Sequence, residues 1–67
     1  MSTLLCIGAG CEQIPGISKA KELGYEVVSV DGNHKAPGFK LADRSYCVDL
    51  KNVKEIIQIA RKNKIIS

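Results

Sequence analysis

The stretch Thr3-Leu4-Leu5-Cys6-Ile7, followed at once by Gly8-Ala9-Gly10, constrains the fold more than any other part of the sequence. A short, continuous, mainly apolar run of this kind reads as a strand buried on both faces, as in a parallel sheet. The glycines end it, and apolar residues then return at helical spacing. Ile14, Ile17, Ala20 and Leu23 make one stripe, with Lys19, Lys21 and Glu22 on other faces. Pro15 falls in the first turn of this helix, where its missing N–H costs little. Gly24 fits the position just past the helix end, which favours a left-handed residue.

The remaining chain repeats the alternation. Tyr25 to Val30 is rich in β-branched residues and reads as a second strand, ended by the turn-forming Asp31-Gly32-Asn33. Ala36-Pro37-Gly38 is a second breaker, and Phe39 to Ala42 is expected to form one short helical turn. Ser45-Tyr46-Cys47-Val48 reads as a third strand, closed by Asp49. Asn52 is a good N-cap, with Glu55 completing a variant capping box. Val53, Ile56, Ile57 and Ala60 mark the stripe of a second main helix. Arg61, Lys62 and Lys64 stand at its C-terminal end, where cations suit the dipole. Ile65-Ile66 reads as the first residues of a fourth strand.

Strands alternating with helices predict an α/β fold: one domain over residues 1–67, in three α/β/α layers around a short parallel sheet. The order is β-α-β-short α-β-α with a fourth strand only begun. A parallel sheet needs neighbours, so the unit is expected to be a fragment of a longer protein. At 67 residues a core is small. The expectation is a marginal fold that pairs its open sheet edge with another copy or is ordered inside a larger assembly.

Composition narrows the function classes. Hydrophobic residues at 45% and charged residues at 25% exclude a disordered tail. No apolar run is long enough to span a membrane. Met1-Ser2-Thr3 lacks the basic start of a secretory signal, so a cytoplasmic protein is expected. The net charge of +3 is spread along the chain rather than gathered in a block. Tyr25, Phe39 and Tyr46 are the only aromatic residues, which argues against a stacking platform for nucleic acid. Cys6, Cys11 and Cys47 form no CxxC pair, and His34 is far along the chain from Cys6 and Cys11. Reduced thiols are expected, with Cys6 and Cys47 as small strand residues and neither a disulfide framework nor a metal site.

The candidate site is the loop Gly8-Ala9-Gly10-Cys11-Glu12-Gln13 between the first strand and first helix. Glycines there let the backbone turn sharply and approach a ligand closely. The following helix points its free N–H groups at the same spot, which favours a phosphate or carboxylate. Asp31 ends the second strand, about 20 residues further on, where dinucleotide-binding units place an acid against a ribose hydroxyl. Gln13 stands where the full G-x-G-x-x-G fingerprint has its third glycine. Gln13 either bonds a ligand or faces solvent, and Glu12 complements the helix dipole. Cys11 has no cysteine or histidine partner nearby in sequence, and His34 reads as a solvated loop residue.

Taken together, Gly8-Ala9-Gly10-Cys11-Glu12-Gln13-Ile14-Pro15, Ala20 to Val27, Asp31-Gly32-Asn33, Ala36-Pro37-Gly38 and Leu41-Ala42-Asp43 resemble the N-terminal, Rossmann-like domain of ATP-grasp ligases. The resemblance covers essentially the whole chain. It is closest to the carbamoyl-phosphate-synthase-like and formate-dependent phosphoribosylglycinamide-formyltransferase-like subgroup. The run from Asp31-Gly32-Asn33 through Ala36-Pro37-Gly38 to Ala42-Asp43 is its most specific part. The resemblance implies a parent enzyme that joins a carboxylate to an amine through an acyl-phosphate, using ATP and Mg²⁺ held by two later domains. It implies that the loop from Gly8 to Gln13 touches the non-nucleotide substrate as one wall of the cleft. It also implies that these residues alone, lacking the family's ATP-binding lysine and metal carboxylates, do not catalyse ligation. Where many relatives have proline, this chain has Cys11, so the substrate is not carried over.

Two other readings stay open on sequence. A Rossmann-type NAD-binding module would use Asp31 on the ribose. A free-standing module without a small ligand would self-associate through its unfinished sheet edge.

Overall fold

The computed structural model describes residues 2–65. Strand β1 (Thr3–Ile7) runs into a 3₁₀ turn (Cys11–Gln13) and helix α1 (Ile14–Glu22). Strand β2 (Glu26–Asp31), a second 3₁₀ turn (Pro37–Lys40), strand β3 (Arg44–Cys47) and helix α2 (Val53–Lys62) follow. The sheet is parallel in the order β1-β2-β3, with Leu5 opposite Val28 and Val30 opposite Tyr46. This is the α/β architecture with a parallel sheet expected from the alternation, and the Rossmann-like form that the resemblance implies.

Alternation along β2 assigns the two faces. Val28 and Val30 pack with Val48, Ile56 and Ile59, so α2 covers one face. Val27 meets Ile17 on the other face, under α1. Val27, Val28, Ser29 and Val30 are all buried, because among the described residues β2 alone has a strand on each side and a helix on each face. β1 differs from expectation. Among the described residues it is an edge strand, as β3 is, its middle residues are only half-buried, and Ile7 is 56% exposed.

Element boundaries move by one or two residues for identifiable reasons. Tyr25 donates its N–H to Ala20 O and Gly24 its own to Lys21 O, which closes α1 in a Schellman motif and delays β2 to Glu26. Gly24 takes φ +93°, as its place past the helix end requires. β3 begins at Arg44 because Asp43 already pairs with β2, its N–H donating to Val27 O. The short helical turn starts at Pro37 rather than Phe39.

The helical stripes also need correction. Leu23 is 64% exposed and lies outside the α1 core stripe. On α2 the buried residues are Ile56, Ile59 and, just past the helix, Asn63, whereas Val53 and Ile57 face outward. The cap stands as expected: Asn52 Oδ1 accepts from Glu55 N at 3.2 Å, and Asn52 Nδ2 donates to Glu55 Oε2 at 2.9 Å. Lys64 occupies the left-handed position after α2 at φ 54°. Ile65 is not in a strand; it donates to Ala60 O and packs on the core. The rest of the expected fourth strand, Ile66, lies outside the described residues.

The cysteines are free, Cys6 half-buried and Cys11 and Cys47 exposed. The exposure of Cys47 departs from its expected place as an apolar strand residue.

One packing contact fixes the second breaker. Gly38 is buried, and a Cβ there would lie 2.9 Å from both Ala9 O and Ile17 Cδ1. Overpacking of this kind costs about 1–3 kcal/mol. Gly38→Ala is therefore expected to lower the unfolding free energy by that amount in urea denaturation, with the slope unchanged.

Candidate functional site

The glycine loop leaves β1 at the C-terminal edge of the sheet. Gly8 extends the ladder by donating to Val30 O at 2.7 Å and turns the chain with φ +94°, a conformation that favours glycine. Ala9 is fully buried beneath the loop. Gly10 is different. Its backbone, at φ −70° and ψ 178°, is open to any residue, and the nearest atom to a Cβ there would be the flexible carboxylate of Glu12, at 3.3 Å. Gly8 is thus glycine for the fold, while the fold gives Gly10 no such reason.

The loop is held from two sides. Ala9 N donates to Asp31 Oδ2 at 2.8 Å, and Ala9 O accepts from Gly38 N at 2.8 Å. Asp31 Oδ1 accepts from Asn33 N at 2.8 Å. Asn33 turns the chain onward, its Oδ1 accepting from Lys35 N and its O accepting from Ala36 N, both at 2.9 Å. Asp31, Asn33, Ala36, Gly38 and Ala9 close a ring. The three sequence motifs that looked separate are one structure.

Each expected site residue can now be placed. Cys11 and Glu12 are exposed in the 3₁₀ turn at the loop's tip. Gln13 neither faces solvent nor reaches outward. It is half-buried and folds back to within 3.9 Å of the Cβ position of Gly8, with its Oε1 4.0 Å from Cys6 Sγ. Asp31 points at the loop, with both oxygens engaged by main-chain N–H groups. These bonds, to Asn33 first and Ala9 second, hold its carboxyl below the ordinary value of 3.8. Burial pushes the Cys6 thiol up. His34 is exposed, as expected of a loop residue.

A second carboxylate has a comparable role at the opposite edge. Asp43 Oδ2 accepts from Val27 N at 2.7 Å and Oδ1 from Lys21 Nζ at 3.0 Å, so it pins β2 and α1. The bond from Val27, then that from Lys21, lowers its pKa. Sequence reasoning missed the neighbouring network. Asn63, buried past the end of α2, accepts from Arg44 and donates to Tyr46 Oη at 3.3 Å and to Ile59 O at 2.8 Å. Arg44 also reaches Glu26 at 2.9 Å. A polar residue in phase with Ile56 and Ile59 was the signal available.

Beside β1 lies an apolar groove of about 150 Å³, lined mainly by Leu4, Leu5, Cys6, Ile17, Ala20 and Val27. Among the described residues, no three His, Cys, Asp or Glu side chains are grouped as a metal would need, and no helix is long and apolar enough to cross a membrane.

Strand, glycine loop, helix and an acid at the end of the second strand define a Rossmann-like module with its loop at the C-terminal edge of the sheet. Comparison with known proteins narrows the class. No family model matches the chain. A formate-dependent phosphoribosylglycinamide formyltransferase from Methanocella arvoryzae is 33% identical over 61 residues, which is 91% of this chain and 14% of that protein. Phosphoribosylglycinamide synthetase from Anaerococcus prevotii superposes with a TM-score of 0.76 at 33% identity, over 96% of this chain and 16% of that one. The N5-carboxyaminoimidazole synthetase of Staphylococcus aureus, complexed with ADP, superposes with a TM-score of 0.84 over 91% of this chain and 16% of that one; at 24% identity it shows the shared fold. These likenesses, over nearly the whole chain, support its resemblance to the N-terminal domains of ATP-grasp ligases, in the subgroup that includes the formate-dependent formyltransferases. The chain spans about one seventh of the curated relative's length.

The two latched aspartates make stability depend on acid. Their folded pKa values are lowered, so their contribution is complete above the unfolded value and is lost as pH falls through the folded one. Unfolding free energy is expected to decline below about pH 4. In urea melts across pH, the double variant Asp31→Asn, Asp43→Asn should show a shallower decline.

Proposed function

We propose that this chain is the N-terminal domain of an ATP-dependent carboxylate–amine ligase or a related ATP-grasp enzyme, and that its loop from Gly8 to Gln13 forms one wall of the substrate cleft. The observation that carries this is Gly10. The fold does not require a glycine there, and the lack of a side chain leaves half-exposed main chain at the edge where α/β sheets bind ligands. The N–H groups of Gly10, Cys11 and Glu12 meet no acceptor among the described residues. They suit an anionic or carbonyl group of a small substrate.

The division of labour follows from the family. ATP and Mg²⁺ belong to later domains of a parent enzyme, and this chain shapes the substrate pocket without catalysing ligation alone. The rest of that ligase is its principal partner, in the cytoplasm, with no role in binding nucleic acid or membrane. The dinucleotide alternative would need Asp31 on a ribose. Its carboxylate is instead oriented by the main-chain N–H groups of Ala9 and Asn33, which favours the ligase reading.

One observation favours self-association when the chain is alone. β1 has a strand partner on only one side among the described residues, and the apolar groove runs beside it. Sedimentation of the isolated chain is expected to show a concentration-dependent dimer, and a monomer at all concentrations would remove that reading.

The loop assignment is tested by amide NMR of the 67-residue chain titrated with phosphoribosylglycinamide, Mg·ATP and NAD. Shift changes at Gly10, Cys11 and Glu12 are expected with the first, and none with Mg·ATP. Tight, Mg²⁺-dependent ATP binding would contradict the division of labour. NAD binding weakened by Asp31→Ala would establish the dinucleotide alternative.

A further inference from the structure

We infer that Asp31 is a positioning residue that sets the glycine loop through the Ala9 peptide, rather than a group that touches the ligand. The inference rests on the reading of that loop as a substrate wall. The carboxylate bridges two main-chain N–H groups, each at 2.8 Å, one on the loop and one in its own turn. The Asn33 bond fixes the orientation of the carboxyl group, and the fixed carboxyl group then fixes the Ala9 N–H.

The Ala9 peptide has little remaining freedom. Its oxygen is held by Gly38 N at 2.8 Å, and its Cβ would lie 3.2 Å from a Cβ on Gly38. The peptide group that carries the Ala9 oxygen also carries the Gly10 N–H, so the clamp on Ala9 determines where the open part of the loop begins. Charge suits this task. A carboxylate accepts on both oxygens, and hydrogen bonds to a charged acceptor are worth about twice neutral ones. An asparagine in the same pose would turn an NH₂ group toward one of the two N–H donors and lose that bond.

This assignment makes a different prediction from a ribose contact. A ligand hydroxyl can donate to an amide oxygen as it does to a carboxylate, so Asp31→Asn would be mild. A latch cannot tolerate the exchange.

The direct test is through-hydrogen-bond NMR on the isotopically labelled chain. A scalar coupling between Ala9 N and Asp31 Cγ is expected in the unliganded wild type. In Asp31→Asn, the Ala9 amide should exchange with solvent at least tenfold faster, while Gly8 N–H, bonded to Val30, stays protected. Titration with phosphoribosylglycinamide should then give at least tenfold weaker binding for Asp31→Asn than for wild type. Absence of the coupling, together with unchanged Ala9 exchange in the variant, would overturn the latch. Loss of protection at Gly8 and Ala9 alike would overturn it too, by showing that Asp31 supports the whole sheet. Wild-type chain that shows the coupling but binds no phosphoribosylglycinamide would leave the latch standing and contradict the substrate-wall reading instead.

Discussion

The rest of the structure depends on the two hydrogen bonds made by the backbone N–H and C=O of Ala9. One joins the glycine loop to the end of β2 through Asp31, and the other joins it to the second 3₁₀ turn through Gly38. Buried peptide groups need partners, and an unmet one costs about 1–3 kcal/mol. Ala9 lies beyond the end of β1 and cannot use the ladder, so a side chain and a distant turn must serve it. That requirement explains why Asp31, Asn33 and Gly38 occur together. Asp31 supplies the acceptor, Asn33 aims it, and Gly38 brings a backbone N–H closer than any side chain would allow.

The sheet builds outward from β2. Its four consecutive buried residues meet α1 on one face and α2 on the other. Polar ties then fix the layers at the edge opposite the loop, where Asp43 holds Val27 and Lys21, and Asn63 joins α2 to Arg44 and Tyr46. β1 lies at one edge of the sheet among the described residues, with an apolar groove beside it. The loop therefore stands on a well-braced frame next to the outer edge of β1, one of two strand edges unpaired among the described residues. This is a sensible place for a cleft wall, since precise placement of ligand-facing groups needs rigid support.

Much of the fold was legible because its signals are local. Alternation of strands and helices, the Asn52 cap and Gly24 at the end of α1 are each written in a few neighbouring residues. What was not legible depends on tertiary partners. Whether Leu4 to Cys6 are buried depends on β1 being an edge strand, which its own sequence does not encode. Ile59 rather than Ile57 faces the core because of how α2 lies across Val28 and Val30. For the site, the loop and Asp31 were found from glycine chemistry and position. The direction of Asp31 was not, because the partner it meets, Ala9 N–H, is a backbone group that every residue but proline shares. Gln13 in place of a third glycine likewise turned out to pack back over Gly8.

The loop has a fixed base and an open tip. Native-state hydrogen exchange, residue by residue, tests it most directly. The Ala9 and Gly38 amides should be protected to the level of the β2 ladder, while those of Gly10, Cys11 and Glu12 exchange rapidly. Equal, fast exchange from Ala9 through Glu12 would contradict the account.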